Sequence, residues 1–301
     1  MRGYISTCRI CSALLACVLF SVAFTDNAAG KGFTSAQKGF IYKLYSDGHY
    51  FQCIAETERL IQITAPRNRG PYDYFMAVNY FRGYQYSSAI FMLQKQDREE
   101  TPLYHSILVS QAYRWQRNFT KAITVLDGYD YEELPAGKRD TLFIRRLEIH
   151  ADTGNYQGAL EEIRKAQKVF KGPEKFAAMR SSLMDIHDRQ VSPVVNALFS
   201  SAIPGLGQAR TGRYRDALIS FSAVAILGSG TWYLLSKGET AAGAAVGFFL
   251  AITYGGNMYG AYNSAKKYNR DAHYRWKEQF RRQYIPPYDP DRNIRKDLLF
   301  P

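Results

Sequence analysis

The sequence predicts an all-α protein: an N-terminal signal peptide, an array of paired helices, and a C-terminal hairpin of two transmembrane helices with a basic amphipathic tail. Three observations support this prediction. A small residue recurs at an almost regular interval through the first half of the chain. Two uncharged apolar runs lie close together in the second half. The residues after these runs carry aromatic side chains at helical spacing among many basic ones.

The predicted signal peptide covers residues 1–29. Arg2 and Arg9 give it a positive start, and Ile10–Phe24 is an apolar stretch of 15 residues. A positive end before a short apolar core, with small residues after it, is typical of a secretory leader. The sequence leaves two alternatives open: an uncleaved anchor, and a lipoprotein signal that is lipidated at Cys17.

The helical array is predicted from a repeat. An aromatic residue followed three positions later by a small residue occurs at Tyr50–Cys53, Tyr86–Ala89, Phe119–Ala122 and Tyr156–Ala159. The small residues are 36, 33 and 37 positions apart, and a proline follows each of them after 13 or 14 positions. A small residue lets two antiparallel helices approach closely, and proline ends the second helix. Because each pair leaves an apolar face for the next pair to cover, the pattern predicts a stacked array over residues 33–190.

These positions resemble the tetratricopeptide repeat (TPR) family over about 140 of the 301 residues. Ala77 and Tyr80 match the small and aromatic consensus positions of the first helix, whereas Cys53 replaces the usual alanine in the first repeat. The resemblance implies a TPR-like α-solenoid that binds a protein or peptide in a concave groove. The family's groove positions fall on Lys38, Tyr42, Tyr45, Tyr74, Phe81, Tyr104, Gln111, Arg114 and Glu148. The alternative is that several of these aromatic side chains only pack the first repeats.

The membrane domain is predicted over residues 192–265. Helices 217–236 and 241–265 are each uncharged over 20 residues or more, which is enough to cross a bilayer core of about 30 Å. The weaker stretch 194–209 is predicted to be a re-entrant or short helix. We expect it to provide a third crossing, with the array outside and the tail inside, since basic flanks prefer the cytoplasmic side. The alternative is that it lies in the interface and leaves array and tail on one side.

A glycine-rich turn precedes the two long helices. It consists of Pro204, Gly205, Gly207 and Gln208, with Gly212 a few residues later, and it resembles the opening motif of small bacterial two-helix membrane domains of unknown function. A glycine-rich turn can also cradle a phosphate, but no strand precedes this one and no Lys-Ser/Thr pair follows it. Small residues on one face of the second helix predict close helix packing, or equally a homo-oligomer. These residues are Gly243, Gly247, Gly256 and Gly260.

The tail, residues 266–301, contains ten Lys/Arg and five Asp/Glu. Four aromatic residues and one alanine recur every four positions and form one helical stripe, at Tyr268, Ala272, Trp276, Phe280 and Tyr284. A basic helix with such a stripe predicts an amphipathic segment that lies against anionic lipid headgroups. The alternative is a continuation of the second membrane helix that packs on the protein. Nucleic acid is not an expected partner, because no matching motif accompanies the charge.

The residues favour a non-enzymatic function. The histidines are scattered, the cysteines lack metal-ligand spacing, and neither a cofactor nor a metal is expected. The leading hypothesis is a membrane-anchored protein–protein interaction scaffold or assembly factor of a bacterial cell envelope, with its array on the periplasmic side of the inner membrane. The alternative is a subunit of a membrane transport or envelope-biogenesis complex, whose hairpin packs with other membrane subunits.

Overall fold

The computed structural model of the 301-residue chain describes residues 33–66, 68–94, 102–170 and 173–294. Within these ranges the protein is helical and contains no strand. The predicted signal peptide, with Cys17, lies outside the described residues, as does the end of the tail after Ile294. The described chain forms two compact units: the first comprises residues up to Ile149 together with those from Pro287, and the second is His150–Pro286.

The first unit is built from consecutive helices and closes with a short 3-10 helix at Pro290–Asn293. Its helices are α1 (Ser35–Ser46), α2 (Tyr50–Thr64), α3 (Gly70–Arg82), α4 (Tyr86–Gln94), α5 (Leu103–Trp115), α6 (Phe119–Asp127) and the greater part of α7 (Ala136–Thr153). Helices α1 and α2, α3 and α4, and α5 and α6 pack as neighbours, and α2 and α4 also contact the pair that follows. A capping box at Thr34 and Gln37 begins α1, and the side chain of Asn118 caps α6.

The recurring small residues lie where paired helices cross. Cys53, Ala89 and Ala122 are buried, so no larger side chain separates the helices there. The Cys53 thiol lies 3.7 Å from the Ile41 carbonyl, and the Ser110 hydroxyl donates to the Ala122 carbonyl at 2.7 Å. Burial raises the pKa of the Cys53 thiol to about 12, so this cysteine behaves as a small core residue.

One local turn recurs four times along the chain. Gly48, Tyr84, Arg117 and Gly154 have φ angles of 78°, 61°, 62° and 69°. Each lies five positions before a recurring small residue, and each is followed by an amide that bonds back to the preceding helix in the manner of a left-handed helix cap. Glycine occupies this position in only two of the four turns. Tyr84 and Arg117 take this position in the other two turns, so a search of the sequence for glycines does not find the shared turn.

The second unit contains the long apolar helices. Its elements are α8 (Tyr156–Val169), α9 (Pro173–Asp188), α10 (Pro193–Ala202), α11 (Leu206–Arg210), α12 (Tyr214–Ser236) and α13 (Thr240–Tyr284). Among the described residues, α12 and α13 are the two helices that are long and apolar enough to cross a membrane, with mean hydropathies of 1.6 and 1.2 in their best windows. Helix α10 has ten residues and is only about 15 Å long, half the thickness of a bilayer core.

The structure corrects the interpretation of the basic tail. Helix α13 continues without a break from the apolar run to Tyr284. The Trp276 indole donates to the Ser182 hydroxyl at 3.0 Å and packs edge-on against Tyr156, and Phe280 is buried beside it. These aromatic side chains are therefore occupied by α8 and α9. The prediction that the stripe lies in the lipid interface is wrong, and the packed continuation of the second helix is correct.

Candidate functional site

Residues 287–294, called the C-terminal segment below, lie against the helices of the first unit. The Asp291 carboxylate is held through both of its oxygens. The Tyr45 hydroxyl donates to Oδ1, and Arg82 Nη2 donates to Oδ2 at 2.8 Å. The same Arg82 nitrogen lies 3.4 Å from an oxygen of Asp289. Two donors from α1 and α3 thus converge on one carboxylate of the segment.

The segment is also held by its backbone and by its aromatic residue. The Tyr74 hydroxyl donates to the Pro290 carbonyl at 3.0 Å. The Tyr288 ring meets Phe81 edge to face at 5.9 Å, and the Arg145 guanidinium lies 5.4 Å from the centre of the same ring. These contacts combine an aromatic pair with a cation–π interaction. Ile294 is buried in the hydrophobic cluster of the first unit and completes the attachment.

We call Tyr45, Tyr74, Phe81, Arg82 and Arg145 the tail-binding surface. Sequence analysis identified three of its members, Tyr45, Tyr74 and Phe81, as groove positions. Arg82 and Arg145 were missed, because they do not fall on the family's groove positions. Arg82 directly follows Phe81 at the end of α3, so its position beside the predicted groove was the available signal.

The phenols of this surface are kept in the neutral, donating form. Burial, followed by the hydrogen bond to Asp291, raises the pKa of Tyr45 above its usual value. Burial likewise raises the pKa of Tyr74, and that of Tyr288 on the segment itself. Because a neutral phenol donates a hydrogen bond, Tyr45 and Tyr74 suit a carboxylate and a carbonyl acceptor.

Three other predicted groove residues form a buried polar cluster with Arg145. The Glu148 carboxylate accepts from Arg145 at 2.8 Å, from Gln111 at 3.1 Å and from Arg114 at 3.2 Å. Arg114 also donates to the Gln111 side-chain oxygen at 3.1 Å. Gln111, Arg114 and Glu148 therefore bind each other instead of presenting free groups to a ligand. They support the site, because Glu148 holds the guanidinium that lies over Tyr288.

The rings of His105 and Tyr104 pack against Tyr74. The His105 ring stacks on Tyr74 at 5.1 Å, and the predicted groove residue Tyr104 meets both rings edge to face, at 4.7 and 4.6 Å. Neither nitrogen of buried His105 has a hydrogen-bond partner among the described residues. Burial lowers the pKa of His105 to about 4, so the ring is neutral near pH 7.

The remaining groove positions lie on α1. Lys38 is half-buried, whereas the Tyr42 side chain is exposed. Tyr42 precedes Tyr45 by three positions, which places both on one side of the helix. It therefore extends the tail-binding surface as an accessible neighbour.

In the second unit, polar side chains clamp the predicted glycine turn. The Gly205 amide donates to the Asn257 side chain, and the Gly207 amide donates to the Ser200 hydroxyl, both at 2.9 Å. Asn196 donates to the carbonyls of Gly207 and Ala261, each at 2.8 Å. These amides already have acceptors, so the turn does not form a phosphate cradle. It is a structural joint in which backbone groups are satisfied internally, as a membrane would require.

The Gln208 side chain completes this joint. It donates to the Asn257 carbonyl at 3.1 Å and accepts from Ser200 at 2.9 Å. Pro204 lies in the turn before α11, and Gly212 follows the helix with a φ of 78°. The motif thus joins α10, α11 and α13 through hydrogen bonds.

The predicted packing glycines differ in their surroundings. A Cβ added to Gly243 would meet Leu235 at 2.6 Å, and one on Gly247 would meet Thr231 at 3.4 Å. A Cβ on Gly260 would lie 3.2 Å from Gln208. These three positions lie at close approaches of α13 to α12 or α11. Gly256 has open space around it, so it marks no close approach between helices within the described chain.

The contacts of the C-terminal segment bear on the predicted topology. The segment contacts Tyr45, Tyr74 and Arg82 of the array. Three crossings between segment and array would place them on opposite sides of a membrane, and α10 has only ten residues. These contacts therefore favour the alternative, with array and tail on one side, over the three-crossing prediction.

The arrangement can bind a ligand that has the same groups as the C-terminal segment: a carboxylate, a backbone carbonyl and an aromatic ring presented by an extended chain. The convergent donors are tyrosine and arginine side chains, and the site offers no nucleophile–base pair among its members. Comparisons with protein-family models, with curated proteins and with solved structures found no match to this chain.

Proposed function

We propose that this chain is a membrane-anchored, non-enzymatic scaffold that binds an extended peptide of a partner protein on its tail-binding surface. In this proposal the helices of the first unit are TPR-like repeats. The protein brings its partner to a bacterial inner membrane and acts in the assembly of the cell envelope.

The observation that carries the proposal is the contact between predicted groove residues and a peptide segment. Tyr45, Tyr74 and Phe81 are groove positions that the resemblance to the TPR family implies, and all three contact the C-terminal segment. The bond from Tyr74 reaches a backbone carbonyl, which every peptide has. Such main-chain recognition, with pockets for selected side chains, is how proteins bind extended peptides.

The membrane anchor is proposed to be α12 with the first half of α13. No residue of α12 is buried by the rest of the described protein, and its apolar side chains, such as Ile226 and Trp232, are exposed. An apolar helix of 23 residues that packs on α13 along one side and exposes apolar side chains on the other is suited to lipid. Two crossings leave the array and the C-terminal segment on one face of the membrane.

The predicted leader places that face in the periplasm, whereas the basic residues that flank the helices favour the cytoplasm. We propose the periplasmic face. A single reactive cysteine near Glu174, in a cysteine-free chain, tests this placement: labelling from outside intact spheroplasts is expected. Labelling only after lysis would place the array in the cytoplasm.

The function is tested with a chain that ends at Pro286, purified in detergent, and a library of displayed peptides. We expect enrichment of peptides whose binding is weakened at least tenfold by Tyr74→Phe, which removes only the hydroxyl that bonds a carbonyl. Tyr214→Phe is the matched control, because this exposed tyrosine lies outside the site. Circular dichroism confirms that each variant is helical. If folded protein enriches no peptide, or if Tyr74→Phe leaves the binding unchanged, the peptide-binding function is wrong.

A second candidate function is a subunit of a transport or envelope-biogenesis complex. The uncovered apolar surface of α12 favours it, because another membrane helix could cover that surface as well as lipid does. A stoichiometric complex retained through gentle detergent purification would support this candidate. A monomeric chain that still binds peptides would favour the scaffold.

A further inference from the structure

The C-terminal segment occupies the site through contacts that suit exchange. The ion pairs of Arg82 with Asp291 and Asp289 are partly open to water, with 37% of the Arg82 side chain exposed. Exposed pairs of this kind contribute little net stability, about 0–1 kcal/mol. The segment contains one turn of 3-10 helix, at Pro290–Asn293, and begins at the second of two consecutive prolines. Its other contacts are the hydrogen bond from Tyr74, the packing of the Tyr288 ring and the burial of Ile294. An extended peptide with the same groups could replace these contacts.

We infer that the C-terminal segment is an internal competitor for the partner, and that the partner's peptide carries an aromatic residue three positions before an aspartate. This inference rests on the proposed function and adds a ligand class and a means of regulation. The ligand class follows from the contacts of Tyr288 and Asp291. The regulation follows from the occupation of the same surface by the protein's own chain.

The aspartate is specified by the geometry of its two donors. Tyr45 and Arg82 approach different oxygens of the Asp291 carboxylate. Asparagine could accept only through one oxygen, and its NH₂ group would face a donor. Hydrogen bonds between charged groups and a carboxylate are roughly twice as strong as neutral ones. The site therefore discriminates a carboxylate from an amide of the same shape.

The aromatic residue is specified by the two groups around its ring. Phe81 presents an edge-to-face contact, and Arg145 presents a cation that Glu148 holds in place. An aliphatic side chain would keep some apolar contact but would lose the attraction between the guanidinium and the ring face. The hydroxyl of Tyr288 is enclosed and has no hydrogen-bond partner among the described residues. Phenylalanine should therefore bind at this position at least as well as tyrosine.

Tethering strengthens competition within one chain. A tethered segment has an effective concentration on the order of millimolar, and it weakens a competing peptide by the ratio of this concentration to the segment's own dissociation constant. If the segment as a free peptide has a dissociation constant of about 10–100 µM, a partner peptide would bind the intact protein roughly 10- to 100-fold more weakly than an opened protein. Events that release the segment would therefore switch binding on.

The experiment measures the binding of a fluorescein-labelled peptide with the sequence of residues 287–294 by fluorescence anisotropy. The proteins, in detergent, are the wild-type chain, an opened chain with Asp291→Asn, and a second opened chain that ends at Pro286. Melting curves confirm that each chain is folded. The peptides are the natural sequence, one with Asp291→Asn and one with Tyr288→Leu.

We expect the opened chains to bind the natural peptide at least tenfold more tightly than the wild-type chain does. Both altered peptides should bind the opened chains at least tenfold more weakly than the natural one. Adding Arg82→Gln to the opened chain should weaken the natural peptide by up to about fivefold and should change the binding of the Asp291→Asn peptide little. Arg59→Gln is the matched control, since Arg59 pairs with Glu56 on the surface of α2.

The outcomes separate this inference from the proposed function. If opened chains bind all three peptides equally, the ligand class is wrong while peptide binding stands. If the wild-type chain binds as tightly as the opened chains, the segment is not a competitor. If no opened chain binds these peptides but the displayed library is enriched, only this inference fails. If neither the labelled peptides nor the library binds, the proposed function fails as well.

Discussion

Acidification should destabilise the first unit through His105. This residue is buried between Tyr74 and Tyr104, and its ring nitrogens have no hydrogen-bond partner among the described residues. Burial lowers its pKa to about 4, below the value of about 6.5 expected in the unfolded chain. Between these values the unfolded chain binds a proton that the folded chain excludes. The stability contributed by neutral His105 is therefore full above pH 6.5 and is lost as the pH falls towards 4.

The magnitude follows from the two pKa values. At pH 5 the unfolded histidine is almost fully protonated and the folded one is mostly neutral, which costs about 2 kcal/mol relative to neutral pH. For a protein of this size a loss of 1 kcal/mol lowers the melting midpoint by roughly 2–4 °C. His105 should therefore lower the midpoint by roughly 4–8 °C between pH 7 and pH 5. The site should loosen together with the fold, because His105 stacks on the tyrosine that holds Pro290.

The assay compares melting midpoints at pH 7 and pH 5 for the wild-type chain and for His105→Phe, which keeps a stacking ring but cannot titrate. We expect the wild-type midpoint to fall by several degrees more than that of His105→Phe. His49→Gln is the control, because His49 is exposed. An equal pH dependence in wild type and His105→Phe would refute the assignment of a destabilising proton to this residue.

Two further predictions concern support of the site and of the membrane turn. Glu148→Gln should destabilise the first unit by about 3–5 kcal/mol, because it removes the carboxylate shared by two buried guanidinium groups. The control is Glu161→Gln, in an exposed pair with Arg164, which should leave the melting midpoint unchanged. Equal melting midpoints in the two variants would contradict the role of the buried cluster. Gly207→Ala should cost about 1–3 kcal/mol, because a Cβ would meet Ala261 at 2.7 Å. Gly228→Ala, with open space around it, should be neutral, and similar melting midpoints for both would contradict the joint.

The sequence predicted the features that local signals determine. The helix pairs follow from small residues, prolines and periodic apolar positions, and Cys53 and Ala122 are buried as the repeat requires. The two long apolar helices follow from length and composition. The shared turn at Tyr84 and Arg117 was missed, because these residues adopt a left-handed conformation that glycine usually marks.

The candidate site was predicted only in part, for a physical reason. Asp291 contacts Tyr45 across more than 200 positions of the chain, and no periodicity links the two. Asn196 and Ser200 are polar residues within the stretch 194–209, whose apolar pattern is weaker than that of the long helices, and they form the face that binds the glycine turn. Contacts that depend on tertiary structure leave no local pattern, so the polar residues that make them resemble defects in a hydrophobic segment.

The central claim is that the protein's own C-terminal segment occupies its predicted peptide site. The most direct test replaces Tyr288 with a photoreactive benzoylphenylalanine in the full-length chain and maps the crosslinks by mass spectrometry. The same probe at Arg292, whose side chain is exposed, serves as the control. The account predicts crosslinks from position 288, within one chain, to the peptides that contain Phe81 or Arg145, and none to them from position 292. Crosslinks from position 288 to lipid, to a second copy of the chain or to any other part of the first unit would contradict it.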